Sequence, residues 1–464
     1  MKPKKKKILI ISLSIFGALL ILPTAFLGVV ATMANNRSIT LSGGKSRVSH
    51  RNGLVYADGN SLYDKNGNRL VLQGVNAGNL LISEGWISPF SVGECLDESG
   101  NQIIDENNLT TYPELPMEEA IKGYYSNPNL NDSQRKELID IYRENWFSEI
   151  DFKNIKELGL NTIRLPFYWR NILNEENGIF TRKEEDEAFS YIDSFVANCQ
   201  KYNLYCVLDL HGAPGGQNGY EHCGDMSKAD LWKNERFQEA TVDLWKYVAE
   251  HYTYTRPDLG KAIATYDLLN EPCAYYDNKD AGTVPEVCGP VFDKIYQGIR
   301  SIGDEHVINI EGVWSFDCFS DPDKYGWENI QYDTHLYNWN HDLVPYWLFN
   351  SYHEVHIWGH EYDVPYSVSE FTFFDDEEAW NSQLSLFDKR GYSWTMWTYK
   401  AAVTGWWDTT WSLYTERLNL WDGKVKANLA TSTYDELKEA FEATNTSNCI
   451  QSKTYGYISS FLKK

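Results

Sequence analysis

Short apolar runs, each ending on a polar or charged residue and followed by an amphipathic stretch, recur along most of this chain. Eight stand out: Val71–Asn76, Asn161–Leu165, Leu204–His211, Ala264–Glu271, Val307–Glu311, Ile330–His335, Val364–Glu370 and Tyr392–Trp397. They have strand length, and near-continuous apolarity suits a strand covered on both faces. Between them, Asp151–Leu158 carries apolar residues at helical spacing, and Gly159 offers the left-handed conformation that ends a helix. Glu185–Lys201, Arg236–Tyr252, Pro290–Ile302 and Tyr434–Ala443 read as helices by the same periodicity. Leu54–Leu72 alternates apolar with polar around Asn66-Gly67, a hairpin signature.

Strands alternating with helices imply a parallel sheet. Eight of them fit a closed (β/α)8 TIM barrel with an N-terminal β-hairpin and a long insertion after strand one. That insertion, Leu96–Tyr142, is acidic and Asn-rich and reads as a lid or as decoration. A doubly wound open sheet is the competing fold, but Gly-x-Gly-x-x-Gly does not follow the first strand. Arg164, His211, Glu271, His335, Glu370 and Trp397 each stand at or near the C-terminal end of a different run. Active sites of such barrels occupy that face. Residues 39–464, after a short polar linker at 39–48, read as one catalytic domain.

Residues 1–38 read differently. Five lysines among the first seven residues precede 27 uncharged residues, Ile8–Ala34, long enough to span a bilayer. A cleaved signal peptide and a retained membrane anchor both fit, and either sends the rest of the chain outward. The expected location is extracellular or cell-surface.

The net charge of −23 argues against nucleic acid or an anionic membrane surface as partner and favours a neutral substrate. Eight cysteines in an exported chain permit disulfides. Cys223, Cys273, Cys288 and Cys318 lie in polar, loop-like segments and are the candidates for pairing; Cys199 and Cys206, in or beside apolar runs, read as buried thiols. His353, His356 and His360 have a spacing that could hold a metal on a helix, but no accompanying motif glutamate or cysteine supports that reading. Asn36, Asn108, Asn131 and Asn445 begin Asn-x-Ser/Thr triplets. The 17 Trp, 31 Tyr and 20 Phe are more than enough to fill a large core, and an exposed fraction would suit the apolar face of a sugar ring.

The chemistry centres on Glu271, in Leu269-Asn270-Glu271-Pro272, and Glu370, in Ser369-Glu370-Phe371. Two carboxyls in one cleft can divide glycosidic bond cleavage, one donating a proton to the leaving oxygen and the other attacking the sugar in ionised form. A guanidinium such as Arg164 favours the ionised partner. The acid needs desolvation or a neighbouring negative charge to keep its proton.

The stretches Leu208-Asp-Leu-His211-Gly-Ala-Pro-Gly-Gly-Gln-Asn-Gly219, Leu269-Asn-Glu-Pro272, Val75-Asn-Ala-Gly-Asn79 with Ser83-Glu84, and Asn161-Thr-Ile-Arg-Leu-Pro166 resemble glycoside hydrolase family 5, the cellulase-like retaining β-glycosidases. The texture is that of the exo-β-1,3-glucanase branch, from about Gly74 to Tyr399. The resemblance implies Glu271 as general acid/base and Glu370 as nucleophile. It implies Asn270 on the sugar 2-hydroxyl, His335 and Tyr337 as a His-x-Tyr pair with Tyr337 positioning Glu370, Trp397 as the floor of the sugar site, and Glu84 as a sugar-binding glutamate. Arg164 and His211 complete the set, and neither metal nor organic cofactor is implied. Leu80 departs from the tryptophan usual in that branch, at the outer wall of the sugar pocket. Trp394, Trp406, Trp407 and Trp411 divide between core packing and ligand contact, and the loop at Gln217-Asn218 is expected to narrow the cleft. The expected activity is hydrolysis of a β-glucan by double displacement, with β-1,3-glucan first and β-1,4-glucan, mannan or a small glucoside behind, by a monomer. The alternative is a catalytically silent surface carbohydrate-binding protein on the same barrel. An intact Glu271, Glu370, Arg164 and Tyr337 argues against it, since a binder needs no complete acid and nucleophile set.

Overall fold

All eight apolar runs become strands of one closed barrel: β1 (Gln73–Asn76), β2 (Thr162–Tyr168), β3 (Tyr205–Gly212), β4 (Ile263–Asp267), β5 (Val307–Glu311), β6 (Ile330–Tyr337), β7 (Tyr366–Thr372) and β8 (Ser393–Met396). Every neighbouring pair is parallel, and β8 returns to β1 to close the ring. The computed structural model describes residues 52–85, 87–91, 117–226, 228–313, 318–340, 343–349, 362–402, 411–416 and 427–463. The export segment and linker, part of the insertion, Asn36, Asn108, His353, His356, His360, Trp406 and Trp407 lie outside the described residues. Among the described residues no helix is long and apolar enough to cross a membrane. Residues 338–340 and 343–349, after β6, belong to a second, small unit, in which the Asn340 carbonyl accepts from the Leu343 and Val344 amides.

Around the barrel run α1 (Met117–Ser126), α2 (Asp132–Trp146), α3 (Glu149–Leu158), α4 (Glu185–Lys201), α5 (Glu235–Glu250), α6 (Pro285–Ser301), α7 (Glu377–Arg390), α8 (Tyr434–Ala443) and α9 (Lys453–Leu462). Their ends follow from local chemistry. Asn131 and Gln134 make a reciprocal capping box at the start of α2, and Gly159, at φ 103°, ends α3 in the left-handed conformation. The helix expected from Pro290 begins five residues earlier, because Pro285 suits a first helical turn, and Pro290 is tolerated inside α6 where Val291, Phe292, Ile295 and Ile299 are buried. The helix expected to reach Tyr252 is α-helical only to Glu250 and widens into a π turn at His251–Thr255.

The N-terminal hairpin is a three-stranded meander, Tyr56–Asp58, Ser61–Tyr63 and Arg69–Leu70. Gly59, at φ 56°, makes the extra turn that the alternation conceals. The Asn66-Gly67 turn is held by Asp64, whose Oδ1 accepts the Asn66 and Asn68 amides at 2.8 Å each. Val55, Leu62 and Leu72 of this region pack with Val207, Ala264 and Val307, early residues of β3, β4 and β5, so the meander stoppers the N-terminal mouth of the barrel. Cys199 and Cys206 are buried thiols; Cys223 and Cys288, candidates for pairing in loop-like segments, are also buried free thiols, Cys288 within α6.

The described part of the insertion is more than decoration. From α2, Trp146 Nε1 donates to the Gly78 carbonyl at 2.8 Å, and the Tyr142 hydroxyl meets both the carbonyl and the side chain of Asn79, fixing the loop after β1. Lys400, on the short strand Lys400–Ala401 after β8, is 1 % exposed. Its ammonium donates to the carbonyls of Asn145 (3.3 Å), Trp146 (2.7 Å) and Thr444 (2.8 Å), at the C-terminal ends of α2 and α8. One cation thus satisfies carbonyls that helix geometry leaves orphaned and meets the negative ends of two helix dipoles. Lys400→Met is expected to lower stability by about 3 kcal/mol, since it strands several buried acceptors at once; urea unfolding should show a lower midpoint at unchanged slope.

Candidate active site

The parallel register sets polar residues of adjacent strands side by side at the C-terminal end of the barrel: Asn76 beside Arg164, Asp209 beside Asp267, Glu311 beside Asp333, and His335 beside Glu370. Arg164 is fully buried. Its Nη1 donates to Glu370 Oε1 (2.7 Å) and Asn76 Oδ1 (3.0 Å), its Nη2 to Asn270 Oδ1 (2.8 Å), and its Nε to Asp267 Oδ2 (2.9 Å). Asp209 Oδ1 lies 3.1 Å from Nη2. Burial pushes Asp209 up to about 7 against the pull of Arg164, and pushes Asp267 well up in the same way.

Glu370 is held from both sides, since the Tyr337 hydroxyl donates to its Oε2 at 3.1 Å. Burial, then Glu370 and Glu271, raise the Tyr337 pKa well above that of a free phenol, so the hydroxyl remains a donor. Glu271 is reached differently from the expectation. Strand β4 stops at Asp267, and the chain leaves the sheet before Glu271, which takes φ 44°. Side chains secure that left-handed residue: its N–H donates to Glu311 Oε2 (2.8 Å) and its carbonyl accepts from Asn218 Nδ2 (3.0 Å). One oxygen of Glu271 and one of Glu370 lie within 4.8 Å of each other, with His335 Nδ1 between them at 2.8 Å from Glu271 Oε1 and 3.4 Å from Glu370 Oε2.

The other expected residues converge on the same place. His211 Nδ1 lies 2.8 Å from Asp209 Oδ2 and its Nε2 3.4 Å from Asn270 Nδ2, which orients the Asn270 amide. Burial holds the His211 imidazole neutral. Trp397 stacks on that imidazole, ring centroids 5.5 Å apart at 15°, and packs with Ile87, Ala401 and Trp411. Gly78 permits this seat: a Cβ there would stand 2.7 Å from Thr398 Oγ1 and 3.0 Å from Trp397 Cζ2. Glu84 is buried, its N–H donating to Asn79 Oδ1 at 2.9 Å. Trp394 and Trp411 are buried in packing. Gln217 and Asn218, expected at the cleft edge, have fully buried side chains; Gln217 Nε2 donates to the His211 and Asn270 carbonyls, so the pair braces the strand ends.

Sequence reading passed over Asn76, Asp209, Asp267 and Glu311. Their signal is visible as carboxylates or amides within runs that are otherwise apolar. It also passed over His222, whose Nε2 lies 2.8 Å from Glu271 Oε2. Burial disfavours ionised Glu271, but His222 and His335 outweigh it and hold the carboxyl well below the usual glutamate range. The expected proton on Glu271 is thus drawn towards two imidazoles.

Glu271, His335 and Glu370 offer three potential ligand atoms within 4.8 Å, as do Glu311, Asp333 and His335. A metal does not fit them. Burial opposes the His335 imidazolium, yet Glu311, Glu370 and Glu271 raise its pKa to about 10, and its two ring nitrogens already face Glu271 Oε1 and Ser369 Oγ. Arg164 already occupies Glu370, so an added cation would face two resident positive charges.

A profile of the cellulase family (glycosyl hydrolase family 5) matches residues 131–403, more than half of the chain. A beta-xylosidase of Phanerodontia chrysosporium is 28% identical over 375 residues, 74% of this chain and 70% of the relative. Glucan 1,3-beta-glucosidase 2 of Wickerhamomyces anomalus is 28% identical over 272 residues, 57% of this chain and 56% of the relative. The chain thus spans little more than half the length of that glucosidase. The crystal structure of rutinosidase from Aspergillus niger superposes with a TM-score of 0.53 at 16% identity, covering 74% of this chain and 95% of that one, a likeness of fold. The chain belongs to the cellulase family, glycosyl hydrolase family 5, a family of O-glycosyl hydrolases.

Proposed function

We propose that this chain is a retaining β-glycosidase that hydrolyses a β-glucan by double displacement, with β-1,3-glucan favoured over β-1,4-glucan or mannan. The carrying observation is the approach of Glu271 and Glu370 to within 4.8 Å of each other. Retaining enzymes keep their carboxyl groups roughly 5–5.5 Å apart, whereas inverting ones leave about 6.5–9.5 Å for a water. The names of the glucan 1,3-beta-glucosidase relatives support the substrate, and the beta-xylosidase keeps a second β-linked sugar in view. The lysine-led apolar segment Ile8–Ala34 supports action outside the cytoplasm, by a catalytic domain over residues 39–464.

In this reading Glu370 attacks the anomeric carbon while Glu271 protonates the leaving oxygen. Arg164 and Tyr337 aim the Glu370 carboxylate, one on each oxygen. Once Glu370 is esterified its charge is gone, and Glu271 takes a proton from the incoming water. Asn270, oriented by Arg164 and His211, binds the sugar 2-hydroxyl as that contact tightens in the transition state. Trp397 supplies the apolar floor and Glu84 a polar edge.

Glu370→Gln should cut kcat roughly a thousandfold or more while β-glucan binding persists. Persisting turnover would defeat the assignment, and lost binding together with lost activity would point to misfolding. NMR of the first-formed product should show a β-anomer; an α-anomer would mean inversion. Tyr337→Phe removes one hydrogen bond to the nucleophile and should lower kcat about tenfold with a smaller change in KM, as steady-state kinetics on an aryl β-glucoside would measure.

A further inference from the structure

His222 stands in the short turn Glu221–Cys223, in the loop that leaves β3 after His211. That turn is built rather than incidental. Gly224 follows at φ 87°, where a Cβ would meet Tyr168 Cε2 at 2.4 Å, and its carbonyl accepts the Glu118 amide of α1 at 3.0 Å. The imidazole reaches the Glu271 oxygen that His335 leaves untouched: His222 Nε2 is 2.8 Å from Oε2, and His335 Nδ1 is 2.8 Å from Oε1. His335 has no exposed side-chain surface, whereas His222 is 16 % exposed.

The groups facing His222 come from several segments. Glu271 lies beyond β4, and Glu221 Oε1 is 3.9 Å from the other ring nitrogen. His211 of β3 meets the ring edge-on with centroids 6.0 Å apart. Tyr220 stacks on one face at 5.4 Å, and the Lys279 ammonium sits 3.8 Å above the Tyr220 ring. Asn218 fixes the polarity of the contact. Its Oδ1 accepts from the Tyr220 amide and its Nδ2 donates to the Glu271 carbonyl, which leaves Nδ2 3.1 Å from His222 Nε2. The same heavy-atom arrangement therefore serves two proton states: an imidazolium donating to a carboxylate, or a carboxylic acid donating to the single lone pair of a neutral imidazole, the state that the Asn218 donor beside Nε2 favours.

We propose that His222 is a positioning residue that shares a single proton with Glu271, holding it while Glu271 is ionised and returning it as the leaving-group oxygen engages. The inference rests on Glu271 being the acid/base. In the first step the proton passes from His222 Nε2 to Glu271 Oε2 and from Glu271 to the glycosidic oxygen as the C–O bond breaks, leaving His222 neutral. In the second step Glu271 takes a proton from the attacking water, and the pair returns to its starting state. Burial opposes a charged His222, but Glu271 and Glu221 raise its pKa well above the ordinary 6.5. The pair thus keeps its one proton to a higher pH than Glu271 alone could beside cationic His335.

The test is the pH profile of kcat/KM for His222→Gln against the native enzyme. Without the shared proton, the alkaline limb should move down by about one pH unit or more. An unmoved limb, as a purely structural role gives, overturns the proposal. So does a limb moved upward, which would mean that His222 acts only as a charge depressing the Glu271 pKa. ¹⁵N-histidine NMR of the native protein keeps the proposal falsifiable even if the variant fails to fold. His222 should titrate above pH 6.5, and lower in Glu271→Gln; titration at or below 6.5 in the native protein overturns it. If Glu271→Gln retains native activity, the acid/base assignment itself falls. If that variant is inactive while the His222→Gln limb is unmoved, only the present proposal falls.

Discussion

Arg164 carries a positive charge into a place without water. The desolvation of a guanidinium costs several kcal/mol unless partners replace the lost hydration. Here the partners come from β1, β3, β4, the segment beyond β4, and β7: Asn76, Asp209, Asp267, Asn270 and Glu370. One side chain thereby ties together strands that lie on different sides of the ring. Three carboxyl groups surround one cation, and burial pushes the pKa values of Asp209 and Asp267 up against its pull. His335, raised to about 10, is a second fixed cation, between Glu271 and Glu370. The two glutamates thus sit in a field made by a permanent charge, a nearly permanent charge and a set of titrating neighbours.

That arrangement explains how far the sequence could be read. Buried parallel strands must be apolar on both faces, so eight runs in the chain correspond to eight strands, and chemistry at their C-terminal ends was legible as polar residues at run ends. His211, His335 and Glu370 stand on their strands as the runs suggest; Glu271 does not, because β4 ends at Asp267 and the chain has left the sheet before it takes its left-handed turn at Glu271. The acidic supports within the runs, Asp209 and Asp267, were visible as letters but silent as function, since only the closed ring shows that they face one guanidinium. His222 gave still less warning. It sits in a loop of ordinary polar composition, and its meeting with Glu271 depends on the turn at Gly224 and on the bracing by Gln217 and Asn218.

The surroundings of the site are as constrained as its centre. Trp146 and Tyr142 hold Gly78 and Asn79; Asn79 in turn holds Glu84; and Gly78 leaves the space in which Trp397 lies against His211. The seats of Trp397 and Glu84 thus depend on α2, a helix that begins inside the insertion. Sequence reading placed that segment only within an insertion, and could not show which loop its indole would grip.

The stopper at the far mouth of the barrel has a consequence for how the molecule is made. Val55 and Leu62 find their partners in Val207, Ala264 and Val307, which a ribosome adds much later. The N-terminal meander therefore waits, its apolar side bare, until the middle of the ring exists. Contacts so distant along the polymer close slowly, because loop entropy is lost before they give any return. Docking of the first-made strands should be among the last events of maturation, and nascent chains halted before β5 carry an adhesive end that invites capture by holding factors or by one another.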